Sequence, residues 1–226
     1  MATYKKYDRE KYLTDFSTIM DLRPTVEKYM DEIFQNGVEN LVLAGVGGTM
    51  AIMMPFEAFA KKRTTVPVYL ENAAEVILGT NKAITEKSLV VLYSDSGTTK
   101  ETVALAKYCK EKGIPTIGVS CTDGAPLQEY LKYPIVSKAA DAYSCDGDFM
   151  RLSLIVGAFL KNAGDFPDYD EFMESLANAP KAMADIKESV EEEVKEYAYS
   201  IKDEPYHMLV GSGNLWGSTY CFAMCY

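Results

Sequence analysis

The chain has 226 residues and a formal net charge of −10, with 48% hydrophobic and 25% charged residues. That is enough apolar material for one large core or a core and part of a second. The acidic balance argues against non-specific nucleic-acid binding, which needs a basic surface. Residues 1–10 lack the apolar stretch of a secretory signal, and no apolar run reaches membrane length, so no membrane partner is expected. Five cysteines, an odd number with no C-x-x-C, read as reduced thiols of a cytoplasmic protein. Cys221 and Cys225 share a helical face but have no companion ligands, so no metal is expected.

Residues 8–35 read as helical, with Pro24 restarting the pattern and Gly37 closing it. Residues 40–44 form an apolar strand, Gly45-Val-Gly-Gly-Thr49 a turn, and residues 50–62 a helix in spite of Pro55. Strands follow at 66–70, 89–93, 116–120 and 133–137, with helices at 73–78, 101–112 and 126–131 between them. Five apolar strands separated by helices, without a hairpin signal, predict βαβ units and a parallel sheet with helices on both faces. An apolar helix at 150–162 should pack on that sheet. Beyond the linker 164–168, helices are expected at 169–176 and 180–199, the latter acidic, with Glu191, Glu192 and Glu193 on a solvated face.

The end of the chain repeats an early pattern. Leu41-Val-Leu-Ala-Gly-Val-Gly-Gly-Thr-Met50 and Met208-Leu-Val-Gly-Ser-Gly-Asn-Leu-Trp216 both read strand, Gly-x-Gly, helix. The second is expected to open another α/β domain that stops after one unit. The expected organisation is N-terminal helices at 1–36, a first α/β domain at 37–165, linker helices at 166–203, and the truncated start of a second domain at 204–226. The apolar residues 221–226 would then expose core-type surface, which implies burial in a homo-oligomer.

Ser88-Leu-Val-Val-Leu-Tyr-Ser-Asp-Ser-Gly-Thr-Thr-Lys-Glu-Thr102 carries the chemistry. A buried strand breaks into a hydroxyl-rich turn with one glycine and resumes as a helix. This arrangement aims backbone N–H groups and hydroxyls at one point above the strand's carboxyl end, where the helix N-terminus favours an anion such as phosphate. The competing reading is a capped helix, with Ser96 or Thr98 as N-cap. Gly45-x-Gly47 is weak evidence for a dinucleotide, because the sixth position of that motif holds Met50. No cofactor is expected. His207, the only histidine, lies several residues before the second Gly-x-Gly and reads as structural.

Leu43-Ala-Gly-Val-Gly-Gly-Thr49, the Ser94-Asp-Ser-Gly-Thr-Thr99 turn with Glu101-Thr102, and Gly113-Ile-Pro-Thr-Ile-Gly-Val119 together resemble the sugar isomerase (SIS) domain family. Within it the chain looks most like bacterial deglycases of 6-phosphorylated fructosamines, the fructoselysine 6-phosphate type. The similarity runs from about Glu39 to Tyr226. It implies a doubly wound, flavodoxin-like five-stranded parallel sheet that binds a hexose 6-phosphate or fructosamine 6-phosphate. Ser94, Ser96 and Thr99 match the family's phosphate-turn hydroxyls, and Gly47, Gly48 and Thr49 its first loop over the sugar. Asp95 stands where relatives often carry Gln or Lys. A carboxylate beside a phosphate repels it, so Asp95 is expected to turn away. The family's Glu-Lys after the fifth strand is replaced near Gly147-Asp148, which puts contacts from 144–148 in question. The resemblance places the catalytic Glu and His beyond Tyr226, leaving the catalytic residues of this chain unknown and the chain expected to bind without turnover. It also leaves open another aldose–ketose isomerase or an aminotransferase-isomerase, and a non-catalytic sugar-phosphate sensor.

Overall fold

The structure, a computed structural model, describes residues 7–79, 81–138 and 144–225. Five strands, β1 (Asn40–Gly45), β2 (Val68–Asn72), β3 (Ser88–Tyr93), β4 (Thr116–Ser120) and β5 (Tyr133–Val136), form one all-parallel sheet in the order β2-β1-β3-β4-β5. This is the expected doubly wound, flavodoxin-like order. The three inner strands are buried along their whole length, as their unbroken apolar runs require. The edge strand β5 alternates in burial and carries Pro134, which an edge tolerates because one side of it needs no ladder donor.

Alternation along the strands separates two cores. Leu41 and Leu43 of β1 face a layer made by α1 (Arg9–Met20), α2 (Arg23–Gln35), α3 (Gly48–Lys61), α7 (Ser144–Asn162) and the first half of α8 (Tyr169–Ile201). Val42 and Ala44 face a thinner layer of α4 (Ala73–Ile77), α5 (Lys100–Lys112) and α6 (Pro126–Tyr130). The buried interior of α7, continuous from Met150 to Leu160, explains why its sequence reads as uniformly apolar.

Four expectations change. α7 begins at Ser144 rather than at 150. β2 begins at Val68 rather than 66: Pro67 has no N–H, and joins the sheet only by accepting from Leu41 N at 3.0 Å. Residues 169–201 form one 33-residue helix, Pro180 included, because Tyr169, Met173, Leu176, Pro180 and Ala184 bury one continuous stripe. Residues 208–210 form no strand. Met208 and Val210 are 84% and 86% exposed, and among the described residues no strand lies beside them to complete a ladder. After a 3-10 turn at Gly213–Leu215, α9 (Trp216–Cys225) lies against α3, and Gly217 lets the two backbones close up on Ala51 O and Pro55.

Candidate anion site at the carboxyl ends of β1 and β3

The strand order reverses between β1 and β3, so the turns after these neighbouring strands open on the same crevice, where open α/β sheets bind ligands. Gly47, Gly48 and Thr49 follow β1; Ser94, Ser96 and Thr99 follow β3. The topology therefore brings the two groups of candidate residues to adjacent strand ends.

The β3 turn is tied to its neighbours before any ligand arrives. Ser94 N donates to Val119 O at 3.1 Å, Cys121 N to Asp95 O at 2.8 Å, and Leu127 N to Gly97 O at 3.0 Å. Gly97 has φ +62°, and a Cβ there would lie 2.4 Å from Ala125 Cβ and 3.1 Å from Ser120 Cβ. Only glycine meets both the left-handed backbone and the close approach of the β4–α6 segment. Ser94 Oγ is buried, accepts from Gly97 N at 3.1 Å and shares a 2.9 Å hydrogen bond with Thr99 Oγ1. Ser96 Oγ, at the surface, accepts from Thr98 N at 3.2 Å and shares one of 2.8 Å with Thr98 Oγ1.

These bonds decide the question of the cap. The N-cap of α5 is Thr99, which makes no side-chain capping hydrogen bond. The hydroxyls pair with one another around the helix start, and the first-turn N–H groups of α5 keep no side-chain acceptor. α3 likewise starts without a side-chain cap, at Gly47 with φ +57° and ψ −125°, and the Thr49 hydroxyl accepts from Val46 N at 3.2 Å and donates to Val46 O at 2.9 Å. Two uncapped helix N-termini thus open at the switch point, a favourable environment for an anion. Lys100, at the first position of α5, is exposed, and the turn itself contains no arginine or lysine.

A buried ionic cluster under the turn was not foreseen from the sequence. Tyr93 donates its phenol proton to Asp148 Oδ1. Arg151 donates from NH1 to Tyr93 OH at 2.8 Å and to Asp148 Oδ1 at 3.0 Å, and from Nε to Ser137 Oγ at 2.8 Å. Gly147 leaves the space for the guanidinium, since a Cβ there would meet NH1 at 3.0 Å. The Asp95 carboxyl turns toward this cluster, accepting from Cys121 Sγ at 3.3 Å. Burial pushes the Cys121 thiol up to about 12, so it stays protonated. The available signal was a lone arginine in an otherwise apolar helix. Asp148 is its i−3 neighbour on α7, but Tyr93 of β3 and Ser137 after β5 come from distant parts of the chain and could not be read from spacing.

His207 is exposed beyond the end of α8 and belongs to neither turn. Among the described residues there is no group of three or more His, Cys, Asp or Glu able to hold a metal ion, and no helix is long and apolar enough to cross a membrane. A cavity of about 420 Å³ between α3, α7, α8 and α9 is lined by Ile52, Pro55, Phe149, Met183 and Phe222 among others, and by none of the turn residues.

Comparison with known proteins bears on the fold and the family. The SIS domain family matches residues 36–156, more than half of the chain. Fructosamine deglycase FrlB of Bacillus subtilis is 24% identical over 202 residues, covering 88% of this chain and 62% of its own length. An isomerizing glutamine–fructose-6-phosphate aminotransferase of Fusobacterium nucleatum is 26% identical over 196 residues, covering 83% and 32% respectively. Among solved structures, a candidate phosphosugar isomerase of Salmonella typhimurium LT2 superposes with a TM-score of 0.83 at 25% identity, over 90% of this chain and 62% of that one. At 17% identity, where the likeness is one of fold alone, the C-terminal domain of glucosamine-fructose-6-phosphate aminotransferase from Francisella tularensis gives 0.77 over 99% and 68%. The chain therefore spans about three fifths of the length of FrlB and a third of that of the aminotransferase. By its sheet order, its matched segment and the solved structures it resembles, this chain belongs to the SIS domain family, whose folds it shares with phosphosugar isomerases.

Proposed function

We propose that the chain binds the phosphate of a hexose 6-phosphate or fructosamine 6-phosphate in the β3–α5 turn, as part of a deglycase that splits a 6-phosphofructosamine into glucose 6-phosphate and an amine. The observation that carries this is the uncapped N-terminus of α5, ringed by Ser94, Ser96, Thr98 and Thr99 at the switch point of an SIS sheet. A turn already fixed by backbone bonds loses little freedom when it takes up a ligand. Gly47, Gly48 and Thr49 supply the facing loop over the sugar.

The chemistry is an enolisation. A base removes a proton from C1 of the open-chain ketoamine, reprotonation at C2 gives an imine, and water splits it at C1. Phosphate held away from the reacting carbons supplies positioning energy. The described residues supply that hold, but they bring no Glu–His pair to the two turns; His207 lies elsewhere. Turnover accordingly requires acid–base groups from another segment or subunit, and the isolated chain binds without reacting.

The exposed apolar residues Leu215, Trp216 and Phe222 support a homo-oligomer, most simply a homodimer; the cysteine pattern, odd in number with no C-x-x-C, supports the cytoplasm. Light scattering should therefore show self-association, and a clean monomer would contradict it. The resemblance to isomerizing aminotransferases supports a second reading, aldose–ketose isomerisation on the same turn. An assay of the whole protein with fructoselysine 6-phosphate tests both. Release of glucose 6-phosphate supports the deglycase; no release, with interconversion of hexose 6-phosphates, supports the isomerase; binding without either reaction supports a sensor.

A further inference from the structure

Phosphate binding as just described makes no use of the cavity of about 420 Å³ between α3, α7, α8 and α9. Its size and its largely apolar lining are those of a small-ligand site. Two of its walls start at the carboxyl edge of the sheet, the edge on which the phosphate turn opens. α3 follows β1 after a short turn, and Ile52 and Pro55 lie on the same face of it as Gly48. Ile52 stands about 6 Å along the helix axis from Gly48, one turn beyond the loop over the sugar. α7 follows β5, and its first two turns bring Asp146 and Phe149 to the cavity.

The wall made by α9 repeats the one made by α3. Counted from the two Gly-x-Gly turns, Gly217 corresponds to Ala51, Ser218 to Ile52 and Cys221 to Pro55, and all of these except Ala51 line the cavity. A Cβ on Gly217 would lie 2.3 Å from Ala51 O, so glycine is what lets the two helices meet at these matching positions. The charge at the rim is compensated: Asp146 accepts from Tyr12 OH at 2.9 Å and pairs with Lys187 Nζ at 3.0 Å. An ammonium or carboxylate placed against Phe149 and Met183 would lose its water for little in return. An alkyl or aromatic group gains by burial there.

We infer that this cavity is the subsite for the amine substituent of the 6-phosphofructosamine, and that it selects amines carrying an alkyl or aromatic side chain. The inference rests on the deglycase reading and names the class of amine released. In a fructosamine 6-phosphate the phosphate and the amine stand at opposite ends of the sugar chain, on C6 and C1. With the phosphate at the start of α5 and the sugar under Gly47, Gly48 and Thr49, the C1 substituent is directed along α3 toward Ile52 and Pro55. A plain hexose 6-phosphate has no such substituent, so the cavity separates the deglycase substrate from that of the isomerase reading.

The test is titration calorimetry of the full chain with glucose 6-phosphate and with the 6-phosphofructosamines of leucine and of glycine. It compares the wild type with Ser218→Phe, at an exposed position where the added ring fills the cavity. Glucose 6-phosphate reports on the phosphate turn alone. Wild type should bind the leucine conjugate about tenfold more tightly than the glycine conjugate, the effect of burying roughly two methylene groups. In Ser218→Phe that ratio should fall to about one. Should Ser218→Phe fail to fold, Phe149→Ala, which removes part of the apolar wall at a half-exposed position, should lower the ratio likewise. Equal affinities for the two conjugates in the wild type, binding of glucose 6-phosphate alone, or a leucine preference that the variants keep overturns the subsite and leaves the phosphate site standing. No binding of any of the three ligands overturns the phosphate site, and the subsite with it.

Discussion

Two stretches of this chain read alike and fold differently. In Leu41-Val-Leu-Ala-Gly-Val-Gly, residues 41–45 become a central strand, fully buried, with β2 on one side and β3 on the other. Met208-Leu-Val-Gly-Ser-Gly stays exposed and irregular, although the helix after each Gly-x-Gly forms as expected. The contrast separates what a local pattern can determine from what it cannot. A helix satisfies its backbone within itself, whereas a strand needs neighbours to receive its N–H and C=O groups. The first copy finds two neighbours, and the second finds none among the described residues.

The sharpest way to break this comparison is a pair of truncations. Leu43→Ala, in the wholly buried copy, should cost about 2–5 kcal/mol of stability by urea unfolding, whereas Leu209→Ala should stay within about 0.5 kcal/mol. A large cost at Leu209 would mean that the second copy is packed after all. Gly97→Ala comes next, at about 2 kcal/mol or more, because the added methyl meets Ala125 in a left-handed backbone. An unchanged denaturation midpoint would show that the turn does not need its close approach. Ser96→Ala, at the open rim of the turn, should leave the fold intact and weaken glucose 6-phosphate binding by about 1–3 kcal/mol, the range for a charged hydrogen bond.

A pH dependence of stability gives a further check. The folded chain holds the Asp148 proton up to about 7, well above where an unfolded aspartate releases it. Between those two points the folded state binds more protons, so this residue makes stability fall as pH rises from about 4 to about 7. Subtracting the pH profile of Asp148→Asn isolates its share. Parallel profiles would mean that Asp148 ionises normally.

The sheet, its helices and the two candidate turns were legible because each has a local signature: continuous apolar runs for the inner strands, glycine at Gly97 and Gly113, hydroxyls after β3. The start of α7 was hidden by Cys145-Asp-Gly-Asp148, poor helix formers whose acidic members suit a helix N-terminus. α8 was divided in two at Pro180, since nothing local reveals the buried stripe that carries the helix through it. The Tyr93–Asp148–Arg151 cluster was hidden for a deeper reason: Asp148 and Arg151 stand one turn apart on α7, but Tyr93 meets them only once α7 packs on the sheet.

A crystal of the chain soaked in glucose 6-phosphate tests the central claim most directly. The account predicts phosphate oxygens at the start of α5, within hydrogen-bonding distance of its first-turn N–H groups and of the Ser94, Ser96 and Thr99 hydroxyls. A ligand bound elsewhere, or a turn left empty at saturating ligand, would contradict it.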